Sequence, residues 1–265
     1  MLQNTSHVCP LSWLAGTLLL LTSLLLPAWS HAEGPTRVAA ASDLRFAMTE
    51  IMAHFRADHP DAAVEVIYGS SGRFRTQIEH GAPFDLYFSA DIAYPEALAA
   101  AGLAAGEVRP YALGRIVLWS STRDASTLTL EDLRATEFRR IAIANPRHAP
   151  YGARAREALE AAGVWPEVES RLVYGENIAH AMQLVQSGAA DIGIIALALA
   201  LNPVIEAQGG FALIDYALHR PLEQGFIITR RAAGNATAQL FADYMQQPQT
   251  RRIMLRYGFV IPAER

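Results

Sequence analysis

Ser42 and Ser71 stand where short apolar runs pass into helical patterns. The text reads Ala39-Ala40-Ala41-Ser42-Asp43-Leu44 at the first junction and Tyr68-Gly69-Ser70-Ser71-Gly72 at the second. Each places a hydroxyl beside the first N–H groups of a helix, which have no intrahelical acceptor. Gly69 and Gly72 allow a ligand to come close to the backbone. Two further junctions follow, Asn145-Pro146-Arg147-His148-Ala149-Pro150-Tyr151-Gly152 and Tyr174-Gly175-Glu176-Asn177-Ile178. In a parallel α/β sheet the strand C-termini and helix N-termini share one edge, where ligands bind. Four such helix starts make an anion site from hydroxyls and amides, with no cation required. The local alternative is that Ser42 and Ser71 only cap their helices, with Ser42 placed as an N-cap.

Other chemistries find little support. The 22 basic residues are all Arg, so a Schiff base, a Walker-type phosphate loop and a kinase-type Lys are excluded. The 26 acidic residues outnumber them, which argues against nucleic-acid binding. His54, His59, His80, His148, His180 and His219 form no HExxH or HxH pair, and no zinc site is expected. Gly69-Ser70-Ser71-Gly72 does not have the spacing of a hydrolase nucleophile elbow, and no dinucleotide fingerprint follows the first strand. A hydrolase using Ser42 or Ser71 is the reading from another class, with His148 the nearest base by its place on the third junction.

These junctions need elements to hold them. Apolar runs predict strands over 37–41, 64–68, 85–88, 115–119, 140–144, 191–196 and 226–229. Leu44, Ala47, Met48, Ile51, Met52 and Phe55 recur with helical spacing. Weaker periodicity predicts helices over 73–79, 94–101, 130–134, 152–162, 178–186, 237–245 and 248–257. Strand–helix alternation with apolar strands means an α/β architecture of mostly parallel sheet flanked by helices. No flexible linker divides the strands before about Gly114 from those after it. One sheet and two lobes joined by crossing strands are both compatible with that.

The N-terminus has its own pattern. Residues 11–26 form an apolar run broken only by Ser, Thr and Gly, with Ser30 and Ala32 at the −3 and −1 positions of a small-residue cleavage site. Residues 1–32 are therefore predicted to be a signal peptide for export, although residues 1–10 contain no Lys or Arg. The single cysteine, Cys9, lies inside this segment, so the exported chain would carry neither disulfides nor thiolate metal sites.

Six stretches then carry a resemblance. They are Ala39 to Leu44 with Ala47-Met48; Gly69-Ser70-Ser71-Gly72 with Gln77-Ile78-Glu79-His80-Gly81-Ala82-Pro83; Phe84-Asp85-Leu86-Tyr87-Phe88-Ser89-Ala90-Asp91; Ala144 to Gly152; Ala190-Asp191-Ile192-Gly193-Ile194-Ile195; and Arg256-Tyr257-Gly258-Phe259. In this order the chain resembles the periplasmic molybdate-binding proteins of ABC-type uptake systems, within the two-lobed periplasmic binding protein superfamily of type II.

The resemblance implies two α/β lobes with the ligand cleft between them: residues 33–114 in the first lobe, 115–222 in the second and 223–265 returning to the first. It implies a receptor without cofactor or catalysis. The receptor would be monomeric and would pass molybdate or tungstate to a membrane permease. Ser42 and Ser71 match the family's two serine ligands, and Tyr151 and Ile178 fall where the family uses backbone N–H groups. All are contacts to oxyanion oxygens, with no direct ligation of the metal.

One position departs from the family pattern. Some members place a Tyr hydroxyl two residues beyond the Gly-Ile step, where this chain has Ala196. The Asp43 amide is the expected substitute, with its side chain directed away from the cleft along the helix dipole. The Tyr151 hydroxyl is the other candidate, unless that ring only walls the cleft. An anion held only by N–H and O–H donors must arrive without protons, which disfavours hydrogen phosphate. Sulfate must then be refused by size. Receptors for sulfate, thiosulfate or another small anion are the alternatives within the class.

Overall fold

The computed structural model describes residues 1–3 and 34–262. The predicted signal peptide, its cleavage site and Cys9 lie outside the described residues. No helix among the described residues is long and apolar enough to cross a membrane.

The first apolar runs build one sheet. β1 (Thr36–Ala41), β2 (Val64–Gly69), β3 (Leu86–Ser89) and β4 (Arg109–Gly114) lie in it, and the next five strands form a second sheet. Those are β5 (Ile116–Trp119), β6 (Ile141–Ala144), β7 (Leu172–Gly175), β8 (Ile192–Ala196) and β9 (Phe211–Leu213). β10 (Leu222–Ile228) then returns to the first sheet, giving the orders β2-β1-β3-β10-β4 and β7-β6-β8-β5-β9. The chain therefore crosses between sheets at Arg115 and comes back between Leu213 and Leu222, and the arrangement is two-lobed.

Four strands of each sheet run in one direction, and the fifth, β10 in the first sheet and β5 in the second, pairs antiparallel with both of its neighbours. The sheets are therefore mixed. A strand that arrives directly from the other lobe has no crossover helix to set it parallel.

Helices cover the sheets. α1 (Arg45–Asp58), α2 (Ser71–Glu79) and α3 (Ala93–Ala100) follow strands of the first sheet. The second sheet carries α4 (Pro150–Ala161), α5 (Trp165–Val168), α6 (Ile178–Gln186), α7 (Leu197–Ala200) and α8 (Pro203–Glu206). α9 (Ala236–Tyr244) and α10 (Pro248–Arg256) end the fold against the first lobe's core. The helix expected over 130–134 is instead a short 3-10 turn, Glu131–Arg134. It contributes one buried apolar side chain, Leu133, too little for a longer helix to rest on.

The periodic residues of α1 do what their spacing predicts: Ala47, Met48, Ile51, Met52 and Phe55 are buried. Phe55 meets Phe241 and Tyr244 edge-on, with ring centroids 5.0 and 5.1 Å apart, tying α1 to α9. Phe55→Ala is expected to cost about 3–5 kcal/mol through the cavity it leaves. Thermal unfolding checks this, with a fall in Tm of about 10 °C expected for a protein of this size. A fall of a degree or two would mean that the site collapses to fill the space.

Candidate functional site

The four junctions meet. Ser42, Asp43, Ser71, Tyr151 and Ile178 line one cavity between the lobes, together with Ser70, Ala149, Pro150 and Asn177. It is small, with a volume of about 10 Å³, close to the space that one water molecule needs. Arg is absent from the lining, and Asp43 is the only acidic side chain in it.

Neither serine caps its own helix. Ser42 begins a 3-10 turn, Ser42–Leu44, that leads into α1. Its Oγ donates to Asn177 Oδ1 at 3.0 Å and accepts from the Ala179 amide at 3.3 Å, both in the other lobe. Ser71 Oγ accepts from the Ala90 amide at the end of β3 at 3.0 Å, which leaves its proton free for a ligand. The capping alternative is thereby corrected: both hydroxyls are held by groups distant in sequence.

The backbone supplies further donors. In the first turn of α6, Ala179 N–H goes to Ser42, His180 N–H to Asn177 Oδ1 and Ala181 N–H to Asn177 O. The Ile178 amide is left without an acceptor among the described residues. Tyr151 is the second residue of α4, behind Pro150, and its amide is likewise unpaired among the described residues. This junction is tightly built, because a Cβ on Gly152 would lie 2.0 Å from the carbonyl oxygen of Ala144. Glycine there lets the helix start sit on the end of β6.

Asp43 departs from expectation. It is fully buried, and its side chain is directed to the lobe interface, not outward along the dipole of α1. Oδ2 accepts from the Tyr151 hydroxyl at 2.9 Å and from Gln224 Nε2 at 2.8 Å. Burial pushes the carboxyl up to about 6, against the opposing effect of those two bonds and of the Asp43 and Leu44 amides. The Tyr151 hydroxyl is committed to Asp43 and also accepts from Gln224 Nε2 at 3.1 Å, so it is not a spare donor in place of the Tyr absent at Ala196.

The lobes are joined at more than this point. The Gly72 amide donates to His148 O at 2.9 Å, and Arg154 of α4 reaches Asp91 of the first lobe at 3.1 Å. Arg73 pairs with Glu176. His148 Nδ1 lies 3.0 Å from Ser70 Oγ. Burial and the nearby Arg73 lower the His148 pKa. The histidine thus faces Ser70 and not Ser42 or Ser71, which leaves the hydrolase reading without its base.

Sequence reasoning passed over Asn177 and Gln224. Asn177 carries an N-cap signal, a polar residue directly before an apolar helix, and it does cap α6. Gln224 is fully buried on β10 ahead of the apolar run that marked this strand, and a lone amide there has no pattern of its own.

Two α/β lobes joined by two crossings, with helix N-termini from both turned on one small cavity, define a solute-binding protein. Residues 36–260 match the family described as bacterial extracellular solute-binding protein, and the chain belongs to that family. Among its relatives is the molybdate-binding protein ModA of Rhodobacter capsulatus, 34% identical over 251 residues, covering 93% of this chain and 95% of that one. The protein of the same name from Azotobacter vinelandii is 32% identical, covering 89% and 93%. The solved structure of the Azotobacter vinelandii periplasmic molybdate-binding protein has a TM-score of 0.80 at 31% identity, covering 86% of this chain and 99% of that one. The chain is a binding protein and not an enzyme.

Proposed function

We propose that this protein captures molybdate, and tungstate with it, in the periplasm and delivers it to the permease of an ABC transporter. The observation that carries the reading is the donor set: the free Ser71 hydroxyl and two unpaired helix-start amides around a cavity with no Arg in its lining, beside a Ser42 hydroxyl that would turn from Asn177 Oδ1 to the anion. The relatives' names support the choice of oxyanion.

The chemistry follows from the donors. Amides at helix N-termini carry partial positive charge and stabilise an anion without a counter-ion. Donors from both lobes must converge on the same oxyanion, so binding favours the closed arrangement over an open one. The crossings at Arg115 and between Leu213 and Leu222 are where the hinge would lie. The closed form is then what a permease distinguishes from the unloaded receptor. Molybdate and tungstate have longer bonds to oxygen than sulfate, and a cleft closed to fit them leaves sulfate with stretched hydrogen bonds.

Thermal unfolding with millimolar molybdate, tungstate, sulfate or phosphate tests this. A ligand at about a thousand times its Kd adds roughly 4 kcal/mol, a rise on the order of 10 °C. Rises with molybdate and tungstate alone are the expected result. A rise with sulfate instead, or with none of the four, would overturn the assignment.

A further inference from the structure

Asp43 is the only acidic side chain in the cavity lining, and two atoms around it are unpaired. Its Oδ2 already accepts two hydrogen bonds, from Tyr151 and from Gln224. Its Oδ1 and the Oε1 of Gln224 are both buried without a hydrogen-bond partner among the described residues. The amides of Asp43 itself and of Leu44 offset part of the cost of burying this carboxylate, but neither meets Oδ1 in hydrogen-bond geometry, so that oxygen still lacks a replacement for the water it has lost. A dianion held by Ser42, Ser71 and the amides of Tyr151 and Ile178 would add a second negative group to the same cavity.

Among the described residues no cation faces the pair. From α4 the facing titratable group is Tyr151, and from β4 it is Tyr111; burial raises both phenols well above their ordinary value, so they stay neutral. β10 presents the neutral Gln224. α6 brings Ile178 and α7 brings apolar residues only. Arg154, the buried charged residue of α4, is paired with Asp91 and Glu157.

One proton resolves both problems. Placed on Oδ1, it turns an orphaned acceptor into a donor and removes the like charge. We infer that capture of a tetrahedral dianion is coupled to uptake of one proton at Asp43, whose neutral carboxyl then serves as a hydrogen-bond donor in the closed site. The proton comes from solvent, and no bond within the anion forms or breaks. Burial in the closed arrangement already moves this carboxyl toward neutrality, in the direction the coupling needs. The inference rests on the preceding reading of the cavity as a dianion site.

The test is calorimetric titration of the protein with sodium molybdate at pH 8 in two buffers of different ionisation enthalpy, Tris and HEPES. Molybdate itself carries no proton there. The expected result is a difference in heat corresponding to about one proton per bound anion, with Kd rising about tenfold per pH unit between pH 7 and 9. Asp43→Asn places an amide donor where the proton would sit. It should therefore still bind, with Kd independent of pH and heat independent of buffer.

Normal molybdate binding with identical heats in both buffers would overturn the inference and leave the dianion site intact. So would an Asp43→Asn protein that keeps the wild-type pH slope. Hydrogen phosphate bound without proton uptake, and lost in Asp43→Asn, would mean that an ionised Asp43 accepts the ligand's own proton, which also overturns it. No heat with molybdate, sulfate or phosphate would remove the dianion site itself and the inference with it. If the variant fails to fold, the buffer difference and pH slope of the wild-type protein decide alone.

Discussion

Gly72→Val is expected to abolish oxyanion capture while leaving each lobe folded. Gly72 lies in the first turn of α2, and its amide donates to His148 O in the opposite lobe. A Cβ at this position would stand 2.6 Å from that oxygen, 3.0 Å from the Cα of His148 and 3.2 Å from its carbonyl carbon. The obstructing atoms are backbone, so they cannot step aside as the end of a flexible side chain would. The lobes must stay apart, and the donors that converge only on closure fail to reach one anion.

Within its own lobe the substitution is benign, because valine is a better helix residue than glycine by a few tenths of a kcal/mol. Affinity for molybdate should fall by at least about a hundredfold, roughly 2.7 kcal/mol. Gly72→Ala should give a smaller loss of the same sign. Titration calorimetry reads the affinity and thermal unfolding of the free protein reads the stability. Unchanged affinity would show that α2 and the His148 backbone do not meet in the loaded form.

The second large effect is expected from removing both hydroxyls, Ser42→Ala with Ser71→Ala. A hydrogen bond to a charged group is worth about 1.5–3 kcal/mol, so each serine should account for roughly 10- to 150-fold in affinity. The two come from different junctions, and their effects should combine to between about 10² and 10⁴ if they act independently. Each substitution also removes the acceptor of a buried amide, Ala179 for Ser42 and Ala90 for Ser71. A loss of up to a few kcal/mol in the free protein should accompany the affinity change. Measuring both quantities separates them. An affinity within threefold of wild type would place the anion elsewhere.

Much of this molecule is readable locally. The strands that became β1, β3, β5, β6 and β8 are apolar runs because they are buried within their sheets, the edge strand β2 shows through its half-buried Val66, Ile67 and Tyr68, and α1 shows its buried face in its spacing. The missed strands have physical reasons. β7 and β9 are edge strands with exposed or half-exposed residues, and β4 opens on Arg109-Pro110 at the edge of its sheet. Such strands are ordered by a neighbour's hydrogen bonds more than by burial, so they leave little hydrophobic signal. The two sheets also share one pattern of strand order, which no repeat in the amino-acid text announces.

The same division runs through the site. That Ser42, Ser71, Tyr151 and Ile178 stand at helix starts is encoded locally, since a strand-to-helix junction depends on neighbours a few residues away. That these starts share a cavity between two lobes, and that both serines answer to distant groups, is set by tertiary packing. It alone decided that Asp43 turns inward, to a tyrosine 108 residues away and a glutamine 181 residues away. The local rule, an acid at a helix start facing the dipole, is worth only a fraction of a kcal/mol at an exposed position. Two hydrogen bonds to a buried carboxylate outweigh it. Their partners arrive through the crossing at Arg115 and the return of β10, a relation between segments that no stretch of neighbouring residues contains.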